Sequence, residues 1–192
     1  MFSGTAKRFT LIVGAFVLFS AHGNAQEPNL EIELPNPDGR DPVFDQTSAG
    51  QPIAIEFSDL TDTERLSLDD FSGPLKLVNF WATWCTPCIK ELPSLAALAR
   101  QHSADTVQVI PISLDQKGAS GVPSFIAELQ VQGLDWFTDP TAASGQAADV
   151  FVLPTSVIVD GEGKELGRIV GSADWDSAEA SQLINALLGE ID

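Results

Sequence analysis

Positive charge is scarce in this sequence of 192 residues. Ten lysine and arginine residues stand against 27 aspartate and glutamate residues, so the formal net charge is −17. A surface this acidic repels phosphate groups, and we therefore expect neither nucleic acid nor anionic lipid as a partner. Side chains that bind soft metal ions are also few, because the chain has two cysteines, two histidines and one methionine.

Long apolar runs are lacking as well. No run reaches the roughly 20 apolar residues that a membrane-spanning helix needs, and the longest extends from Phe9 to Phe19. Basic residues at positions 7 and 8 precede this run, and the small residues Gly23 and Ala25 follow it. This is the pattern of a secretory signal peptide. We predict that residues 1–25 form a signal peptide cleaved before residue 26, with an uncleaved anchor as the alternative.

The next stretch, residues 26–50, combines four prolines and six acidic residues with few large apolar side chains. Such a composition cannot bury enough apolar surface to offset the entropy that is lost on ordering. We predict an acidic, proline-rich linker over residues 26–50 and a folded domain over residues 51–190.

Strand and helix patterns alternate within the predicted domain. Alternating apolar residues predict a small edge hairpin at 53–57 and 66–68, and continuous apolar runs predict core strands at 75–81 and 107–114. Pro111 lies within the second run, which predicts a bulge or an edge position there. Further strands are predicted at 135–137, 156–159 and 165–170, and helices at 86–101, 124–131, 141–149 and 176–188. The order predicts an α/β fold, a central mixed β-sheet flanked by helices on both faces, with an N-terminal β-hairpin extension.

The two cysteines, Cys85 and Cys88, stand where the first core strand runs into a helix. A spacing of three residues is about one helical turn, so the two sulfurs can reach disulfide geometry. Unpaired N–H groups and the positive end of the helix dipole favour the thiolate of Cys85, and the thiolate is the nucleophile. We predict that Cys85 attacks a substrate disulfide and that Cys88 resolves the mixed disulfide.

Other uses of the cysteine pair differ in how well the sequence supports them. A structural zinc site needs four ligands, and after the predicted cleavage only His102 could join the two cysteines, so we predict no zinc site. A purely structural disulfide would close too short a loop to constrain the unfolded chain much. Two thiolates could hold Cu(I), and this alternative stays open.

The segment Val78–Cys88 with Glu91-Leu92-Pro93, followed by Leu153–Ser156 and Val159–Gly161, resembles the TlpA/ResA-like branch of the thioredoxin superfamily. The resemblance covers roughly residues 51–188. Leu166-Gly167-Arg168 with Gly171 and Trp175-Asp176 further resembles the alphaproteobacterial TlpA proteins.

The resemblance implies a thioredoxin fold and several site residues. It implies a cis peptide bond between Leu153 and Pro154, facing the dithiol and presenting the Leu153 backbone to a substrate peptide, with Trp84 as a further substrate contact. Thioredoxin has a buried aspartate where this chain has Asn79, which cannot titrate. Glu91 stands where the ResA-like proteins have a glutamate, on the same side of the helix as Cys88, and is expected to accept the proton of that thiol.

The predicted function is that of an exported, periplasmic thiol-disulfide oxidoreductase with no cofactor, either soluble or anchored by its N-terminal segment. The family implies a reductant of protein disulfides in cytochrome c maturation or in assembly of the copper centre of cytochrome oxidase. An oxidising compartment would require a membrane thiol reductant as electron donor. We expect a monomer. The alternatives are a Cu(I)-binding chaperone and a disulfide oxidase.

Overall fold

The computed structural model describes residues 30–36 and 39–191 of the protein. The predicted signal peptide at 1–25 lies outside the described residues. Among the helices of the described part, none has both the length and the apolar character needed to cross a membrane.

In the described part of the chain, seven strands form one mixed sheet. They are β1 Glu56–Asp59, β2 Arg65–Ser67, β3 Leu75–Trp81, β4 Val107–Ser113, β5 Phe137–Thr138, β6 Thr155–Asp160 and β7 Glu165–Val170. Their order in the sheet is β2-β1-β5-β4-β3-β6-β7. Strand β4 is parallel to β3 and β5, whereas β6 is antiparallel to β3 and β7. The predicted hairpin is confirmed, because β1 and β2 pair antiparallel and β2 lies at the sheet edge.

Within the same described residues, four α-helices connect or follow these strands. They are α1 Thr86–Gln101, α2 Val122–Leu129, α3 Ala143–Ala147 and α4 Ala178–Ile191. Apolar residues of α1, α2 and α4 join one hydrophobic core, and Ala148, directly after α3, joins a second core on the other face of the sheet. The predicted mixed sheet with helices on both faces is confirmed.

Strand β3 supplies side chains to both cores. Leu77 and Trp81 pack into the core that contains α1 and α4, whereas Val78 and Phe80 pack into the opposite core. All seven residues of β3 are buried, as predicted for a strand covered on both faces. Because side chains alternate along a strand, Asn79 lies on the same face as Leu77 and Trp81. That face is the one that α1 covers.

The environment of Pro111 differs from the predicted bulge or edge position. The pairing of β3 with β4 runs through Pro111 without a shift in register, and β4 is an interior strand. The neighbour on its other side, β5, pairs only with Ile112 and Ser113. Pro111 therefore precedes the pairing with β5, so the N–H group that proline lacks is not needed there.

The described part of residues 30–50 packs on the domain, which differs from the predicted extended linker. Leu34 and Phe44 are almost completely buried within the core that contains α1 and α4. Phe44 also donates its N–H to the carbonyl of Ile32, and Asp45 pairs with Arg168 on the edge strand β7. Composition counts apolar side chains but not where they point: Leu34 and Phe44 face the core, whereas Val43 is exposed. The pairing of Asp45 with Arg168 covers an open sheet edge.

Candidate active site

The two cysteines form a disulfide at the start of α1, with their Cα atoms 5.3 Å apart. Cys85 is the N-cap of the helix, and its sulfur accepts the backbone N–H of Cys88 at 3.3 Å. Cys88 has no exposed surface, whereas Cys85 keeps 5% of its own. In the reduced protein, the same N–H would stabilise a thiolate on Cys85.

The turn between β3 and α1 is held by Asp115, which follows β4. One oxygen of this buried carboxylate accepts the backbone N–H of Thr83 and the other accepts the hydroxyl of Thr83, both at 2.7 Å. The hydroxyl of Ser113 donates to Asp115 as well, at 2.7 Å. Asp115 therefore positions Trp84 and Cys85, the two residues between Thr83 and the helix. Our sequence reasoning missed it, because nothing local in the sequence distinguishes an acid after a strand from a solvated one.

Glu91 lies one helical turn after Cys88 and is only 3% exposed. Its Oε1 accepts the side-chain Nδ2 of Asn79 at 2.8 Å, and its Oε2 accepts the backbone N–H of Ala173 at 3.1 Å. Trp175 lies close enough to favour the ionised carboxylate slightly, but its indole N–H reaches no acceptor in good geometry within the described part of the chain.

Burial raises the pKa of Glu91 from its ordinary value of 4.5 to about 8. Desolvation is the largest cause, because it penalises the charged form of the carboxyl group. The hydrogen bonds from Ala173 and Asn79 act in the opposite direction but do not offset it. Glu91 is therefore not a solvated residue on the helix surface, and its carboxyl group has a pKa close to that of an ordinary thiol.

Asn79 joins Glu91 to the neighbouring strand. Its Nδ2 donates both to Glu91 and to the hydroxyl of Ser156, the latter at 2.9 Å. Ser156 lies opposite Asn79 in the pairing of β3 with β6, so the contact follows from strand register. The sequence showed that Asn79 cannot titrate, but only the sheet shows that it binds the residue that can.

A groove of about 380 Å³ runs along the outer side of Glu91, between α1 and the segment that follows β7. Its lining includes charged side chains of both signs: Lys90, Arg100, Asp174 and Asp176. Glu91 itself lines the groove, whereas neither cysteine belongs to its lining.

The predicted cis bond between Leu153 and Pro154 is present. Thr155 pairs with Phe80 near the end of β3, so Pro154 lies at the sheet end where the chain turns towards Cys85. The register therefore brings Pro154 and the disulfide to the same end of the molecule. The roles predicted for Leu153 and Pro154 in substrate binding stay predictions.

Large apolar side chains are exposed at this end of the sheet. Trp84, next to Cys85, is 71% exposed, and Phe151 and Val152, just before the cis bond, are 84% and 55% exposed. Large exposed apolar side chains near a reactive group are typical of a site of interaction. Trp84 was predicted to contact substrate, whereas Phe151 and Val152 were missed because they look like the start of a buried strand.

Within residues 30–36 and 39–191, no three or more histidine, cysteine, aspartate or glutamate side chains are grouped so as to hold a metal ion.

Comparison with known proteins finds a family model, Redoxin, that matches residues 46–187. ResA of Bacillus thuringiensis, a thiol-disulfide oxidoreductase, is 30% identical over 122 residues, which are 62% of this chain and 69% of ResA. The thiol:disulfide interchange protein HelX of Rhodobacter capsulatus is 33% identical over 54% of this chain and 56% of HelX.

Solved structures show the same fold. A crystal structure described as the thiol:disulfide interchange protein DsbE of Chlorobium tepidum superposes with a TM-score of 0.64 at 27% identity, covering 73% of this chain and 98% of that one. The fold is a thioredoxin fold, as the resemblance to the TlpA/ResA-like branch implied.

Proposed function

The chain belongs to the redoxin family and is a thiol-disulfide oxidoreductase, and from this we propose that it is an exported reductant of specific protein disulfides. The observation that carries the proposal is the pairing of a cysteine at a helix N-terminus with a buried carboxyl group whose pKa is raised to about 8. The first favours a thiolate, and the second can accept a thiol proton.

The first step is attack by the Cys85 thiolate on a sulfur of the substrate disulfide. The substrate S–S bond breaks, one substrate sulfur forms a mixed disulfide with Cys85, and the other leaves as a thiolate that takes a proton from water. Cys85 is the sulfur placed for this attack because it keeps exposed surface, whereas Cys88 is fully buried.

The second step releases the reduced substrate. Cys88 passes its thiol proton to the Glu91 carboxylate and attacks the sulfur of Cys85, so the mixed disulfide breaks and the substrate leaves with both electrons. The protein finishes with the Cys85–Cys88 disulfide seen in the structure. A thiol has an ordinary pKa of about 8.5, so transfer to a carboxylate with a pKa of about 8 is nearly balanced in free energy.

The exposed side chains Trp84, Phe151 and Val152 support a protein as substrate. A small disulfide needs only access to Cys85, whereas exposed apolar side chains at the disulfide end of the sheet give a protein partner apolar surface to bury. The TlpA-like features of the sequence favour disulfides of cytochrome c maturation or of copper-centre assembly as targets. In an oxidising compartment a membrane thiol donor must then return the Cys85–Cys88 pair to its reduced form.

Substitution of the cysteines tests the mechanism. Cys88→Ser should accumulate a mixed disulfide with a model substrate such as insulin, because the resolving thiol is gone, whereas Cys85→Ser should form none. Mass spectrometry under non-reducing conditions distinguishes the two. The reductase assignment fails if the pair has a reduction potential near the −120 mV or so of strong oxidants, or if the reduced protein retains one Cu(I) and turns over no disulfide.

The apolar surface has its own test. Phe151→Ser should slow reduction of insulin several-fold and leave reduction of glutathione disulfide unchanged. Val43→Ser is a matched control, because Val43 is also exposed and apolar but belongs to the N-terminal segment that packs on β7. Equal effects of Phe151→Ser on both substrates would argue against a protein-binding role.

A further inference from the structure

The side-chain amide of Asn79 has an unbalanced set of hydrogen bonds. Its Nδ2 donates to Glu91 and to Ser156, but its Oδ1 is buried and has no partner among the described residues. A buried carbonyl oxygen without a donor is costly, and most such groups in proteins are satisfied. In the orientation seen, Nδ2 donates to Glu91 at 2.8 Å, which suits an ionised carboxylate because that group only accepts hydrogen bonds.

A protonated Glu91 needs an acceptor for its new O–H group. The two groups that bind it in the structure, the N–H of Ala173 and the Nδ2 of Asn79, are both donors. Rotation of the Asn79 amide by half a turn would exchange its nitrogen and oxygen, and would offer Oδ1 to the O–H of Glu91. Ser156 fits either orientation, because a hydroxyl both accepts from nitrogen and donates to oxygen.

We propose that Asn79 is a positioning residue whose amide reverses each time Glu91 gains or loses a proton, with the Ser156 hydroxyl rotating with it. The carboxyl group then has a suitable partner in both protonation states, although it is buried away from water. This inference rests on the proposed role of Glu91 as the proton acceptor of Cys88. In this proposal Asn79, together with Ser156, provides a hydrogen-bond partner for Glu91 in both of its protonation states.

The groups that contact the Glu91 carboxyl group are neutral, so a change of the Asn79 amide with pH would report the titration of Glu91 itself. Strands β3 and β6 present the neutral Asn79 and Ser156, and the segment after β7 presents the backbone of Ala173 and the indole of Trp175. The charged side chains nearby line the outer groove: Lys90, Arg100, Asp174 and Asp176. In the oxidised protein Cys88 is in the disulfide and does not titrate.

Nuclear magnetic resonance of the oxidised protein tests the reversal directly. Above the midpoint of the Glu91 carboxyl titration, the Nδ2 protons of Asn79 should show nuclear Overhauser contacts to the β protons of Ser156. Below the midpoint these contacts should be lost, because the oxygen then faces Ser156. In Glu91→Gln, the Asn79 amide should not change with pH. Contacts that persist unchanged across the Glu91 midpoint would overturn the proposal.

The catalytic consequence is measured in the reduced protein. Asn79→Leu should raise the pH midpoint of disulfide exchange by about half to one unit, about three- to tenfold in the ratio of ionised to neutral Glu91, because the charged form loses the stronger hydrogen bond. Thr138→Val is the matched control: Thr138 is also buried on a strand, and its hydroxyl has no partner in the described part of the chain, but it lies on β5. An unchanged midpoint in a folded Asn79→Leu protein would contradict the positioning role.

The resonance experiment needs no substrate. An amide that reverses in a protein that fails to exchange disulfides would sustain the inference and refute the proposed function. An Asn79 amide that does not reverse in an active reductase would refute the inference and leave the proposed function standing.

Discussion

Replacing Glu91 by glutamine should stabilise the oxidised protein at alkaline pH and leave its stability at acid pH nearly unchanged. Glutamine keeps the shape of the side chain and cannot ionise. Because burial holds the pKa of Glu91 at about 8 in the folded protein, against 4.5 ordinarily, the folded state binds more protons than the unfolded state between these values. The free energy of unfolding therefore falls as pH rises through this window.

The size of the effect follows from the two pKa values. Below pH 4.5 the carboxyl group is protonated in both the folded and the unfolded state. No charge is then buried, so the wild-type protein and the variant should have nearly the same free energy of unfolding. The pKa values of the two states, 4.5 and about 8, differ by about 3.5 pH units. At about 1.4 kcal/mol per unit, the wild-type protein loses at most about 5 kcal/mol of stability between acid and alkaline pH. Water admitted on ionisation can only reduce this value. Even half of it is a large share of the stability of an ordinary domain.

Urea unfolding of the oxidised proteins at pH 4.5, 6, 7.5 and 9 measures this difference, with the disulfide keeping both thiols out of the titration. The gap between Glu91→Gln and wild type should open steadily with pH and level off above about pH 8. Glu128→Gln removes an exposed acid on α2 and serves as the control. A gap of constant size at all four pH values would mean that Glu91 ionises freely in the folded protein, and the reasoning about its burial would be wrong.

Three further substitutions test the surroundings of the site. Asp115→Asn places a donor against the Thr83 N–H group, so unfolding in urea should show a loss of about 1–3 kcal/mol and alkylation of reduced Cys85 should change in rate. Arg168→Gln leaves the buried Glu165 without its bidentate partner and should cost about 3–5 kcal/mol at neutral pH, whereas Arg168→Met with Glu165→Leu should recover most of it. Gly167→Ala would put a Cβ atom 2.6 Å or less from a phenylalanine ring, and should lower the melting temperature by several degrees. Unchanged stability in any of the three would show that the contact concerned contributes nothing.

Local signals in the sequence were sufficient for the dithiol and for most of the fold. The disulfide is predictable because its two cysteines are three residues apart, at the start of a helix that directly follows a continuous apolar run. All the groups involved are close in sequence. The strand and helix patterns succeeded for the same reason, since the period of apolar residues reflects the face that each element buries. The segment predicted to be a linker shows the limit of this reasoning: composition recorded how few apolar residues it has, and not that Leu34 and Phe44 face the core.

The protonation behaviour of the site was decided by tertiary structure. The spacing of Cys88 and Glu91 placed them on one side of a helix, but whether that side meets water depends on the segment after β7, more than 80 residues further along the chain. Asn79 meets Ser156 across strands 77 residues apart, and Asp115 holds Thr83 from 32 residues away. The sequence by itself determined where the two sulfurs lie, because helix and strand signals are local. The energy of a buried charge depends on everything that excludes water from it, and only the folded chain assembles those groups.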